Sequence, residues 1–277
     1  MTARTGQVRI DVAPDRQWKV PIVQIGGLPI AVIDRAQSAQ FMIDVALDRR
    51  NSALPPLIVT SANGQVLSIC AQQPTIHNLF LQTDLIHADG MSLVFASHLF
   101  CKTPLPERIC TTDFFHDVAR VGEHRGARIF LLGATQTVID EAAQRVRALY
   151  PDLDIVGHAN GYLRRHGEEV RVIDAINAAK PDILWVGLGV PFEQQFAVRN
   201  RHRLHGVGLI KTAGGLFDVL SGEKTRAPSW MRRVGLEWAY RMYLEPRRLA
   251  RRYLTTNPHA LYLLLTRTGE YGRLGTE

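Results

Sequence analysis

Long apolar runs are missing from this chain of 277 residues: no stretch approaches the ~18 uninterrupted apolar residues that a spanning helix needs. The opening MTARTGQVRIDVAPDR lacks the apolar centre of a secretory signal, so a cytoplasmic protein is expected. Cysteine is scarce. Cys70, Cys101 and Cys110 form no CxxC pair, and their odd number makes no disulfide framework, which fits a reducing compartment and core thiols. The histidines show no H-E-x-x-H or similar ligand spacing, and G-x-S-x-G is absent, so zinc hydrolysis and a serine triad have no support. Gly187-Leu188-Gly189-Val190-Pro191 follows an apolar run, yet Val190 and Pro191 break the dinucleotide pattern G-x-G-x-x-G, and no Lys-Ser/Thr follows to make a P-loop.

What is present is ordinary globular material. Hydrophobic residues make up 46% and charged ones 21%, enough for a sizeable core, which excludes disorder, collagen and coiled coil. The length admits one large α/β domain or two small ones. The net charge of +7 is unevenly placed. Lys224 to Arg273 carries eleven Lys and Arg against Glu237, Glu245 and Glu270, a net of +8, and the remaining residues sum to −1. An anionic partner is therefore to be sought at the C-terminal end.

Residues 1–36 mix short β-like runs (VRIDV, WKVPIVQIGGLPIAVID) with turn glycines and read as an N-terminal β lobe. After the helical stretch SAQFMIDVALDRR, apolar runs alternate with amphipathic segments: PLIVTSAN then a helix to about Gln73, DLIHADG then MSLVFASHLF, ARIFLLGAT then IDEAAQRVRALY, LDIVGHANG then EEVRVIDAINAA, PDILWVGLGVP then a helix through Phe196, and VGLIKTAGG then LFDVLSG. Six strand-turn-helix units call for an α/β fold, a mainly parallel sheet covered on both faces. After Ser221, Trp230, Met231, Trp238, Tyr240 and Tyr243 interleave with arginines, and Pro228, Pro246 and Pro258 are expected to divide the segment into short helices. Such an appendage either packs on its own body or lies in an anionic membrane interface.

Ligands of open parallel sheets bind beyond the carboxyl ends of the strands. There, Asp89 is a carboxylate able to take a proton from an attacking hydroxyl, or simply half of an Asp-Gly turn. Thr60, Ser61 and Asn63 either hold substrate hydroxyls or cap the next helix. The glycines of the Gly187 loop, and Thr212-Ala213-Gly214-Gly215 ahead of Phe217-Asp218, either let backbone N–H groups approach a diphosphate or make plain turns. Asp152-Leu153-Asp154 formally matches a metal-binding D-x-D, but it enters a strand at the opposite end of the sheet.

Taken together, VTSAN, DLIHADGMSLVFA, PERI, FLLGA, LYPDLDIVGHANGY, PDILWVGLGVPFEQQF, TAGGLFDVLSGEKTRAPSWMRRVGLEW and YRMYLEPRRLARRY, in this order over roughly residues 55–255, resemble the WecG/TagA/CpsF family, glycosyltransferase family twenty-six. The resemblance implies a Rossmann-like core over residues 1–223 and a cationic helical appendage over 224–277. It implies a metal-independent, inverting transfer from a UDP-sugar to a polyprenyl-diphosphate-linked saccharide, with no cofactor. Carried onto this chain, Asp89 is the general base, and Thr60 and Asn63 lie in the adjoining pocket. Arg108 and Gln194, with Gln195 as its alternative, match further pocket positions, and Arg241, Arg248 and Arg251 match arginines that meet the diphosphate. Gly133, Gly187, Gly189, Gly214, Gly215 and Asp218 fall on the nucleotide side.

Departures from the pattern are Phe192-Glu193-Gln194-Gln195, where a Lys-Gln-Glu run is common, and Cys110-Thr111-Thr112-Asp113, which lacks the usual glycine after PERI. The family's donors include N-acetylmannosamine, its uronic acid and glucuronic acid; positive charge from His87 or Arg108 would favour a uronic acid. A lipid-linked acceptor implies a peripheral enzyme on the inner face of the cytoplasmic membrane, attached through the appendage, and self-association stays open. Removing residues from about 224 onward is expected to leave a folded, more soluble and poorly active body. The competing classes are a non-catalytic lipid-surface scaffold of the same fold and a basic nucleic-acid-binding protein. No helix-turn-helix, finger or RNP-like motif supports the latter, so no nucleic-acid partner is expected.

Overall fold

The computed structural model describes residues 6–13, 16–50, 52–163, 167–228, 230–231 and 235–272. Six parallel strands form the central sheet: β4 (Leu57–Ala62), β5 (Leu85–Ala88), β6 (Arg128–Gly133), β7 (Asp154–Ala159), β8 (Ile183–Gly187) and β9 (Leu209–Thr212), in spatial order β5-β4-β9-β8-β6-β7. Alternation along each strand splits the core in two. Leu57, Val59, Leu85, Leu131, Trp185 and Leu209 face one side, whereas Ile58, Phe130, Leu132, Leu184, Val186 and Ile210 face the other. The first side is covered by α1 (Arg35–Asp48), α5 (Thr111–Arg125) and α6 (Gln136–Leu149), and the second by α7 (Glu168–Ala179) and α8 (Phe192–Asn200). Burial on both faces is why these strands read as nearly continuous apolar runs.

A small antiparallel sheet joins β1 (Gln7–Ala13), β2 (Arg16–Ile25), β3 (Leu28–Ala31) and the short β10 (Gly269–Glu270). β10 pairs with β2 by setting Gly269 opposite Gln24, so the C-terminal segment ends on the N-terminal lobe. Between them, α2 (Gly64–Gln72), α3 (Pro74–Leu81) and α4 (Met91–Phe100) pack with β2, β3 and α11 (Pro246–Thr266) around Ile25, Leu28, Leu67, Phe80, Leu93 and Leu263. Gly64 leaves room for Ala260, whose Cβ would stand 3.2 Å from a Cβ added there. Ser68 Oγ meets His259 Nδ1 at 2.9 Å. Among the described residues, α9 (Leu216–Leu220) and α10 (Glu237–Leu244) lie between β9 and α11.

The six units appear where expected, with three differences. The helix expected to about Gln73 is α2, and a second one, α3, follows it at once, opened by Pro74 at its first turn, where a missing N–H costs nothing. α5 is an additional helix between α4 and β6, capped at its end by Gly126 in the left-handed region. Pro258 does not divide the appendage: α11 runs through it for 21 residues, forgoing one amide. Among the described residues, no helix is long and apolar enough to cross a membrane. Cys70 and Cys110 are buried and Cys101 is partly so, and burial pushes the thiols up to about 12, about 12 and about 11, leaving them protonated.

Candidate active site

The carboxyl ends of β4, β5 and β9 meet where the strand order reverses, the position at which open α/β sheets hold ligands. Asp89 leaves β5 there, its amide donating to the Ala62 carbonyl at 2.7 Å. It directly precedes Gly90, the N-cap of α4. Asn63, the N-cap of α2, lies beside it, with its Cβ 3.7 Å from where a Cβ on Gly90 would be. From α5, whose first residue is Thr111, the threonine hydroxyl donates to Asp89 Oδ2 at 3.3 Å. The N-termini of three helices thus lie around Asp89, an arrangement suited to receiving anions.

Alternation decides which strand residues join Asp89. Ser61 lies opposite His87 in the β4–β5 pairing and Lys211 opposite Val59 in β4–β9, so Ser61, His87, Asp89 and Lys211 share the α1/α5 face. Lys211 has no exposed surface; its Nζ donates to Ser61 Oγ and to the Thr212 carbonyl, both at 2.9 Å. Burial lowers Lys211 to about 8, against the pull of Glu193 and Asp89. His87 is also fully buried, bonded to Ser38 Oγ at 2.9 Å and set edge-on to Phe114. Burial and the Lys211 charge hold it well below its ordinary value, so it is neutral and supplies no positive charge for a uronic acid.

Thr60 points to the opposite face. Fully buried, it shares a 2.8 Å bond with Thr212 Oγ1 and accepts one of 2.9 Å from Gln194 Nε2. Gln194 is equally buried, while Gln195 is exposed. Asn63 makes the capping bond, its Oδ1 accepting from the Val66 amide at 3.2 Å.

The glycine loops are already engaged. Glu193 Oε2 accepts from the Gly189 amide at 3.1 Å and from the Gly214 amide at 2.8 Å, so one buried carboxylate holds two N–H groups that the sequence offers to a diphosphate. Burial raises the Glu193 carboxyl; the Gly214 amide, Lys211, the Gly189 amide and Gln194 pull it back. Gly133 and Gly187 are needed for packing: a Cβ on Gly133 would collide with the Gly187 carbonyl, and one on Gly187 would stand 2.7 Å from the Phe217 ring. Gly215 is exposed, and Asp218 Oδ2 pairs with Lys224 Nζ at 2.5 Å. Asp152 and Asp154 lie at the other edge of the sheet, where Asp154 opens β7 opposite Arg128.

The C-terminal segment reaches the site through Arg108. Its Nη1 lies 3.1 Å from Glu237 Oε2 on α10, and the charge of Asp89 is close enough to act on it. Behind it, Arg226 pairs with Asp113 and approaches Cys110 Sγ at 3.7 Å. Arg241 lies on α10, and Arg248 and Arg251 on α11, but their side chains are outside the described residues. Lys211, Glu193 and Thr111 are the residues that reading the sequence leaves out. The one signal was a lysine at the end of an apolar run, LIK.

The chain is similar to known proteins over most of its length. The chain matches the Glycosyl transferase WecG/TagA/CpsF family over residues 23–272. An N-acetylglucosaminyldiphosphoundecaprenol N-acetyl-beta-D-mannosaminyltransferase of Bacillus spizizenii is 35% identical over 196 residues, 70% of this chain and 73% of the relative. Its counterpart of the same name in Bacillus subtilis is 32% identical over 210 residues, 75% and 78% of the two chains. One from Staphylococcus aureus is 27% identical over 218 residues, 79% and 84%. With a match that runs from β2 to past β10 and takes in every residue around Asp89, the chain belongs to the WecG/TagA/CpsF family of glycosyltransferases.

Proposed function

We propose that the protein transfers a hexose, with inversion and without a metal, from a UDP-sugar to a polyprenyl-diphosphate-linked saccharide in polysaccharide assembly. The supporting observation is the placement of the N-termini of α2, α4 and α5 around Asp89 at the carboxyl edge of the sheet. Asp89 is the base: it takes the proton of the acceptor hydroxyl as that oxygen attacks the anomeric carbon and UDP departs. Negative charge gathers on the departing diphosphate, and N–H groups at helix starts, with Arg108 and the arginines of residues 224–273, are donors suited to it. Ser61, on the Asp89 face, is the strand hydroxyl placed to meet a sugar; Thr60 supports the sheet from below. The relatives' names support N-acetylmannosamine as donor sugar and an N-acetylglucosaminyl-diphosphate lipid as acceptor.

The protein works at a membrane surface. Its C-terminal segment carries +8 and exposes Trp230, Trp238, Tyr243 and Leu244, an aromatic and cationic mixture that suits an anionic lipid interface. The test is UDP release in EDTA from UDP-N-acetylmannosamine, its uronic acid and UDP-glucuronic acid, with N-acetylglucosaminyl-diphosphoundecaprenol in vesicles. Turnover with one donor that survives chelation is expected. Turnover that EDTA abolishes contradicts the metal-free reading.

A further inference from the structure

We propose that Lys211 is a positioning residue for Asp89, acting through the hydroxyls of Ser61 and Thr111. The proposal rests on the assignment of Asp89 as base. The four groups form a chain: Lys211 Nζ to Ser61 Oγ at 2.9 Å, Ser61 Oγ to Thr111 Oγ1 at 3.4 Å, and Thr111 Oγ1 to Asp89 Oδ2 at 3.3 Å. Its direction is forced. An ammonium can only donate and an ionised carboxylate can only accept, so each hydroxyl between them accepts on the lysine side and donates on the aspartate side. The two hydroxyl contacts are longer than the ~2.8 Å of a mature O–H···O bond. Direct attraction between the buried ammonium and the carboxylate therefore shares the coupling with them.

Burying the lysine is costly even with the Glu193 carboxylate facing it, since its pKa still falls. The preceding residue on the same face is Leu209, and an apolar side chain at 211 would complete that face without burying a charge. What the charge does supply is a fixed positive end to a donor chain that terminates on Oδ2, which orients the carboxylate and favours its ionised form. Other charges face the pair. Lys211 also meets Glu193 of α8 and lies near His87 of β5, which is neutral. Asp89 also meets Arg108 and Cys110 of the segment before α5, with Glu237 of α10 behind Arg108 and the Asp113–Arg226 pair beside Cys110. None of these groups lies on the Ser61–Thr111 path.

Two measurements test the proposal. Lys19, Lys102, Lys180, Lys211 and Lys224 are the five lysines, so 13Cε-lysine NMR of the full chain resolves the titration of Lys211 without any substrate. Coupling is reciprocal: Asp89→Asn should lower the Lys211 midpoint by about half a pH unit or more. In the UDP-release assay, Lys211→Met should lower kcat about tenfold or more at neutral pH with KM little changed. The acid limb of its pH profile should move to higher pH, a displacement that a merely structural role would not produce. Thr111→Val should reproduce that shift in part, and it stands in should Lys211→Met fail to fold. A Lys211 midpoint indifferent to Asp89→Asn overturns the proposal, as does an unmoved acid limb when Asp89→Asn is inactive. Wild-type turnover by Asp89→Asn overturns the base assignment and the proposal together.

Discussion

Glu237 on α10 accepts from Arg108 at 3.1 Å, and so ties α10 of the C-terminal segment to a guanidinium that stands in the field of Asp89. Both side chains are mostly buried, at 13% and 12% exposure, so breaking the pair leaves a poorly solvated charge. Glu237→Ala should cost about 2 kcal/mol in denaturant unfolding. Removing both partners, as Arg108→Met with Glu237→Leu, should cost less than the sum of the single changes. An additive cycle would mean that the pair does not fasten the segment.

The two faces of β4 separate two kinds of hydroxyl. Thr60→Val takes one acceptor from Gln194 Nε2, which keeps Glu193 Oε1, and removes the partner of the Thr212 hydroxyl in the core, and should reduce stability by about 1–3 kcal/mol while leaving KM for the donor near its wild-type value. Ser61→Ala takes one acceptor from the buried Lys211 ammonium, so it too should cost about 1–3 kcal/mol, but unlike Thr60→Val it should lower turnover. The reverse pattern, with Thr60→Val raising KM and Ser61→Ala silent, would return Thr60 to the substrate pocket. Melting curves and initial rates on the same two preparations decide.

Lys211 should make the protein less stable below the pH at which it loses its proton. Its pKa falls from 10.5 in the unfolded chain to about 8 in the fold. The unfolded state therefore binds more protons between those values, and stability from this group rises with pH across that window. Below pH ~8 the full cost of burying the ammonium is present, about 3 kcal/mol. Lys211→Met should thus be the more stable protein at pH 7, and its advantage should shrink between pH ~8 and ~10.5. Unfolding free energies at pH 7 and 10 for both proteins check the sign.

Truncation at about residue 224 should not leave the well-behaved body that the charge distribution alone suggests. α11 buries Leu249, Ala260, Leu263 and Leu264, and β10 completes the sheet edge at β2, so the cut uncovers apolar surface worth several kcal/mol. A lower melting temperature and aggregation are expected. Replacing Arg241, Arg248 and Arg251 by Ala keeps the apolar contacts and should weaken sedimentation with anionic vesicles; unchanged sedimentation would exclude these arginines from membrane attachment.

Much of the fold was legible because strands buried on both faces announce themselves as apolar runs, and because Asp34, Asn63 and Thr135 cap the helices that follow them. α5 was not, since it begins at Cys110 without a side-chain cap and without proline, and Asp113 in its first turn is a weak mark by itself. Asp89 could be singled out at a strand end. Its neighbours were harder: Lys211 and Ser61 are 150 residues apart, and which of Thr60 and Ser61 shares a face with Asp89 is settled by the pairing of β4 with β5 and β9. The engagement of the Gly189 and Gly214 amides by Glu193 was likewise invisible, because that carboxylate must fold back from α8 onto two separate loops.

The proposed role of Asp89 is to remove the acceptor's proton. Its most direct test compares wild type with Asp89→Asn in single-turnover UDP release with the lipid-linked acceptor, alongside donor affinity by calorimetry. Donor binding within a fewfold of wild type and a rate reduced by about a hundredfold or more would agree with the account. Single-turnover release at the wild-type rate would contradict it.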